Sequence, residues 1–135
     1  MVTLGGTIAM TKSSGETGGV TPRLTGADLV AAVPGLGEGA AISVEDFRRV
    51  PGASLTVDDI AELAERLRKA AATGSDGFVV TQGTDTLEET AFLLDLLYDA
   101  DAPLVLTGAM RNAAMPGADG PANLLAAVRT AARSA

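Results

Sequence analysis

The sequence predicts an α/β fold: a parallel β-sheet with helices on both faces, three layers in all, of the flavodoxin- or Rossmann-like kind. Three observations lead there. Short apolar runs alternate with stretches of helical periodicity, in the order β-α-β-α-β-α-β-α, and such alternation builds parallel sheets with right-handed crossovers. Three of the strand ends carry small, hydroxyl-rich turns: Thr3-Leu4-Gly5-Gly6-Thr7, Thr81-Gln82-Gly83-Thr84-Asp85 and Thr107-Gly108-Ala109-Met110-Arg111. Finally, 135 residues, 47% hydrophobic and 20% charged, suit one domain with a sizeable core.

Residues 1–7 read as a short strand entering a Gly-Gly turn. Only residues 1–4 are usable as strand, against a usual length of about 5–6, so the first strand is expected to be cut short at its start. Residues 11–19, Thr-Lys-Ser-Ser-Gly-Glu-Thr-Gly-Gly, form a mobile loop, either a connector or a lid over the preceding turn. Thr25 begins a short helix with Asp28 as its capping-box partner. Leu29, Val30 and Val33 are its buried side, and Pro34 ends it. Residues 41–47 alternate as a strand, and residues 48–54 are a loop in which Arg48 and Arg49 make a solvated rim rather than an anion clamp.

Residues 56–72 are the clearest helix. Ile60, Leu63, Ala64, Leu67 and Ala71 recur at helical spacing, Asp58 and Asp59 occupy the first turn, and Gly74 stops it. Residues 77–81 form a buried strand. Residues 86–100 form a helix with Thr86 as N-cap and Glu89 as its partner. Residues 103–107 are another buried strand. After a loop over 108–118, Asp119-Gly120-Pro121 opens a last helix running to about residue 133. No fifth strand follows this apolar helix, so the chain is expected to be a piece of something larger.

Composition narrows the chemistry. A net charge of −7 with ten Lys plus Arg argues against a nucleic-acid partner. The absence of Cys and His excludes disulfides, zinc-finger sites and thiol or Ser-His-Asp catalysis within these residues. Covalent catalysis then falls to Ser, Thr, Lys, Tyr or a carboxylate. Gly, Asp or Thr interrupts every apolar run below membrane-spanning length. Met1 is not followed by the charged and apolar regions of a signal peptide, so the cytoplasm is the expected compartment.

In a flavodoxin-like strand order the first and third strands meet at the switch point, which sets Thr7 and Thr84-Asp85 on opposite walls of one crevice. Gly5 and Gly6 admit close backbone approach, and the amides beyond them form an oxyanion or anion cradle. Each turn alone reads as structural: Thr as strand or cap chemistry, Gly as punctuation, and Asp85 as a first-turn carboxylate favoured by the helix dipole. Asp85 is also a candidate for binding a substrate ammonium. The first turn lacks the Lys-Ser/Thr of a phosphate-binding loop and the three-glycine dinucleotide spacing.

At this point the residues resemble the bacterial-type L-asparaginases. Leu4-Gly5-Gly6-Thr7-Ile8-Ala9 is similar to the family's first signature and residues 81–90 to its second. Thr107-Gly108-Ala109-Met110-Arg111, Ala118-Asp119-Gly120-Pro121-Ala122-Asn123-Leu124 and Leu29-Val30-Ala31-Ala32-Val33-Pro34 match further stretches in the right order. The resemblance implies an N-terminal α/β domain over residues 1–135 that hydrolyses the side-chain amide of L-asparagine to aspartate and ammonia through an acyl-enzyme. It makes Thr7 the nucleophile and Thr84 the second catalytic threonine, orienting water or helping form the oxyanion hole. Asp85 would hold the substrate α-ammonium, and the Ala109 backbone would lie beside the side-chain amide. It implies no metal or organic cofactor, and a homodimer or homotetramer when full length.

Departures accompany the match. The family's catalytic lysine falls beyond Ala135, neither Lys12 nor Lys69 aligns with it, and the smaller C-terminal domain is absent. Gly19 or Val20 stands near the place of the loop tyrosine. Ser54 alone stands in for the Ser-Gln pair that binds the substrate carboxylate. A glutaminase, the ammonia-releasing subunit of a tRNA-dependent amidotransferase, and a non-catalytic amino-acid-binding domain remain alternatives. Residues 1–135 by themselves are expected to release no ammonia from L-asparagine; turnover above buffer that disappears in Thr7→Ala would overturn this.

Overall fold

The computed structural model of the chain describes residues 1–12, 20–22 and 24–133. Along the chain run β1 (Val2–Gly5), β2 (Met10–Lys12), β3 (Val20–Pro22), α1 (Gly26–Ala31), β4 (Glu45–Val50), α2 (Val57–Ala72), β5 (Phe78–Thr81), α3 (Leu87–Leu97), β6 (Leu104–Thr107) and α4 (Gly120–Arg133), with 3₁₀ turns at Thr7–Ala9 and Gly52–Ser54. The main sheet has the order β4-β1-β5-β6 and every pair in it is parallel. Strands β1 and β5 therefore lie side by side where the chain reverses its progress across the sheet, which is the switch point expected of this class.

The layers follow from handedness and from the two-residue period of a strand. The step from β1 to β4 runs opposite to the steps β4 to β5 and β5 to β6, so crossovers of one hand fall on opposite faces. Accordingly Leu29 of α1 and Leu124, Ala127 and Val128 of α4 pack with Ile8, Val79 and Ala109. Ile60, Leu63 and Leu67 of α2 and Leu94 of α3 pack with Val2, Leu4, Phe47, Phe78 and Val80 on the other face. Phe78 and Val80 thus look one way and Val79 the other, the pattern of a strand buried on both sides.

Capping fixes where two helices begin. Asp59 N–H donates to the Thr56 hydroxyl at 3.1 Å, while the Asp59 carboxylate accepts Thr56 N–H at 3.0 Å. Thr25 and Asp28 repeat the arrangement at α1. Gly74, at φ 101°, ends α2 in a conformation that costs glycine least.

Several expected boundaries shift. Residues 41–44 are not strand: the Met1 amine donates to the Ser43 carbonyl at 2.7 Å, but the ladder begins only at Glu45 opposite Val2, and β4 runs on through Arg48, Arg49 and Val50. The three residues Thr3–Gly5 of β1 span the same ladder as the five residues Asp46–Val50 of β4, so β4 carries a bulge. Its arginines are held locally: Arg48 by Asp59 at 2.8 Å and Glu62 at 2.9 Å, over the Phe47 ring, and Arg49 by Asp46 at 3.4 Å. Thr11 and Lys12, expected in a loop, pair with Thr21 and Val20 in a small hairpin. Residues 13–19, where the lid was expected, lie outside the described residues.

Helix α3 ends at Leu97, short of residue 100, and Thr86 is at its N-cap position as expected but makes no side-chain capping bond. The Thr86 hydroxyl instead accepts a hydrogen bond from the Gln82 amide at 3.0 Å, so Glu89 has no capping role. Strand β6 is half-buried rather than buried, since it forms the edge of the sheet among the described residues.

Two carboxylates carry much of the stitching and make stability depend on acid. The Thr3 hydroxyl, then the Gly26 amide and Arg49, hold the Asp46 carboxyl below its usual range, and the Thr56 backbone and hydroxyl do the same for Asp59. A depressed native pKa means a contribution fully present above the ordinary carboxylate value of about 4 and lost as pH falls through the lower native value. The urea midpoint is expected to be level from pH 7 to about 5 and to drop below about 4, with Asp46→Asn lowering it at pH 7 and flattening that acid limb.

Candidate functional site

The C-terminal edge of the sheet brings the three polar turns together, and glycines decide how close they come. Gly5, at φ 99°, passes so near β4 that a Cβ would stand 2.5 Å from the Val50 carbonyl oxygen. Gly6, at φ 78°, donates to the same oxygen at 3.2 Å. A Cβ on Gly6 would stand 2.6 Å from the Gln82 carbonyl carbon and closer still to the Gly83 amide. The turn after β1 and the turn after β5 thus touch backbone to backbone, with Thr7 and Thr84 each one residue beyond the contact.

Thr7 starts the 3₁₀ turn Thr7–Ala9 and is half-buried, while Ile8 and Ala9 anchor that turn in the core. Thr84 and Asp85 are exposed in the gap between β5 and α3. Neither the Thr7 nor the Thr84 hydroxyl has a hydrogen-bond partner among the described residues. Behind them Gln82 is fully buried and donates to the Thr86 and Thr90 hydroxyls at 3.0 and 2.9 Å. The Gln82 side-chain oxygen and the buried Thr81 hydroxyl have no hydrogen-bond partner among the described residues.

The other two walls come from the bulged strand and from β6. Past the bulge, Pro51 leads into the Gly52–Ser54 turn, and the Ala53 amide donates to the Asp85 carboxylate at 3.0 Å. A Cβ at position 52 would stand 2.7 Å from the Thr86 hydroxyl and overlap the Asp85 carboxylate, so a larger residue there would displace both side chains. On the far side a Cβ on Gly108 would meet the Gln82 carbonyl at 2.7 Å and the Thr84 methyl at 3.0 Å. Ala109 beside it is buried against Ile8 and α4. The Asp119 carboxylate, at the start of α4, accepts the Met110 and Arg111 amides at 3.0 and 2.8 Å, and those amides hold its carboxyl below the usual range.

Thr7, Thr84, Asp85 and Ala109 therefore share one sheet edge. Ser54 stands exposed at the end of its turn, and it is the neighbouring Ala53 that touches Asp85. The parts missed from the sequence are Gly52, the Gln82-Thr86-Thr90 network and the pairing of Asp119 with residues 110 and 111. A buried Gln at a strand end was the available signal for the network. A separate cavity of about 590 Å³ lies at the opposite end of the sheet, lined by Met1, Ile42, Ser43, Gly77, Val79 and Val128, and is remote from these groups. Among the described residues no three acidic side chains gather as a metal would require.

Chemically, the edge offers two hydroxyls flanking a glycine contact, one carboxylate between turns and a run of tightly held peptide groups. That suits a small polar molecule with an ammonium group and a carbonyl open to attack.

Comparison with known proteins matches the whole chain, residues 1–135, to the family model described as Asparaginase, N-terminal. The chain is 44% identical over 130 residues to L-asparaginase 2-3 of Saccharomyces cerevisiae, covering 95% of this chain and 36% of that protein. It is 40% identical over 132 residues to L-asparaginase 2 of Escherichia coli, covering 97% of this chain and 38% of that one. A crystal structure of a probable cytoplasmic L-asparaginase from Campylobacter jejuni superposes with a TM-score of 0.87 at 39% identity, over 97% of this chain and 40% of that one. The chain thus spans under two fifths of the length of these two curated relatives.

The glycine contact is testable by stability. Gly39 has a similar φ, 88°, with nothing within 4 Å of a Cβ, so Gly39→Ala isolates the conformational cost of about 1–3 kcal/mol. Gly6→Ala adds backbone overlap at Gly83 and is expected to cost clearly more in urea unfolding; equal losses would show that the contact carries no constraint.

Proposed function

The chain belongs to the asparaginase family, and on that premise we propose that it is the N-terminal domain of an amidohydrolase that converts L-asparagine to L-aspartate and ammonia. The observation that supports the reading most is the backbone contact of Gly6 with Gly83, which joins the turn bearing Thr7 to the turn bearing Thr84 and Asp85.

In this proposal the Thr7 oxygen bonds to the side-chain amide carbon of asparagine while its proton passes to a base. The carbon–nitrogen bond then breaks, and the nitrogen takes up that proton and leaves as ammonia. Water adds to the resulting ester, with Thr84 orienting it or stabilising the oxyanion, and aspartate departs as Thr7 regains its proton. Asp85 holds the α-ammonium, Ser54 lies toward the α-carboxylate and the Ala109 backbone lies beside the reacting amide. The base is a lysine outside residues 1–135; Lys69 is unsuited, being paired with Glu65 at 3.1 Å on α2.

The complete protein is proposed to assemble as a homodimer or homotetramer and to work in the cytoplasm on a free amino acid, without metal or organic cofactor, nucleic acid or membrane.

In the complete protein, Thr7→Ala is expected to lower ammonia release by about 10³-fold or more. Asp85→Ala is expected to raise the KM for asparagine about 10–100-fold, the loss of one charge-assisted contact. Assays with both Asn and Gln fix the preference, and full activity in Thr7→Ala would remove the threonine mechanism.

A further inference from the structure

We propose that Asp119, together with Asn123 one turn along α4, is a positioning residue that sets the Ala109 peptide against the reacting amide. The proposal rests on the amidohydrolase reading above. Both oxygens of Asp119 are committed to successive amides, one to Arg111 at 2.8 Å and the other to Met110 at 3.0 Å. Asn123 donates from one nitrogen to the Gly108 carbonyl and to Asp119, each at 3.0 Å. Three peptide groups around Ala109 are therefore gripped by two side chains of one helix end.

The grip matters because the segment has little else to hold it. After β6 stops at Thr107, the backbone–backbone hydrogen bonds of residues 108–118 among the described residues are local ones, from Met115 to Asn112 and from Ala118 to Met115. Charge-assisted bonds to a carboxylate are among the stronger kinds and fix direction as well as distance. The same helix end also reaches the other wall: a Cβ on Gly120 would stand 3.1 Å from Ile8 and 3.5 Å from the Ala109 side chain. The start of α4 consequently sets the spacing between the turn that bears Thr7 and the strand end that bears Ala109. Asp119 touches neither proposed substrate contact directly, so its influence passes through the peptides it holds.

The test uses the complete protein. Asp119→Asn keeps the shape but turns an NH₂ toward one of the two amides. It is expected to lower kcat for asparagine about 10–100-fold, the scale of a misplacement of roughly 1 Å. KM should stay within about threefold, because Asp85 is untouched. Hydrogen exchange should show the Met110 and Arg111 amides losing protection while those of α2 keep theirs. Asn123→Ala, which leaves the carboxylate in place, should move kcat in the same direction and decides the matter if Asp119→Asn does not fold. Unchanged kcat in a folded variant overturns the proposal, as does unchanged exchange at residues 110 and 111. A wild-type protein that releases no ammonia overturns the amidohydrolase reading and this role with it, whereas active wild type with indifferent variants overturns this role alone.

Discussion

The closest constraint in the structure is the absence of a side chain where two loops cross. Gly6 meets the Gly83 backbone at a distance that leaves no room for a Cβ, and this is possible only because β1 and β5 are parallel neighbours in matched register, Val2 with Val80 and Thr3 with Thr81. Everything at the sheet edge depends on that approach. It sets the separation of Thr7 from Thr84, and it leaves Asp85 standing over the gap toward β4. A methyl group there would push apart the turn after β1 and the turn after β5.

Around this contact the loops are tied down by carboxylates rather than by packing. Asp46 joins β4 to Thr3 of β1 and to the Gly26 amide of α1. Asp85 joins the α3 entrance to the turn after β4, and Asp119 joins α4 to the turn after β6. Each takes a backbone amide from a different segment, so each gives direction to a stretch of chain that no sheet ladder holds. The apolar layers position the strands, and these three acids position what lies beyond the strand ends.

Layer order, strand order and most helices were legible in the sequence because each rests on local pattern. The spacing of Ile60, Leu63, Ala64 and Leu67, the Thr56–Asp59 pair and Gly74 all act within a few residues of one another. The start of β4 was not legible, since residues 41–44 alternate as a strand would while the ladder to β1 begins only at Glu45. Thr86 looked like a cap and became a hydrogen-bond acceptor for Gln82, a competition settled by tertiary placement. Thr7, Thr84, Asp85 and Ala109 were found through turn chemistry and family likeness. Their neighbours Gly52 and Asn123 acquire meaning only once distant segments meet.

The bulge in β4 separates two properties that a regular strand would bind together. Because three residues of β1 face five of β4 while Val50 returns to register with Gly5, the entry to the Gly52–Ser54 turn is pinned by the ladder although the looped-out residues before it are not. Lengthening or trimming the looped-out stretch would leave the turn facing Asp85 in place as long as Gly5 and Val50 stay paired. The fold thereby confines variation in length to the outer edge of the sheet and shields the glycine contact from it.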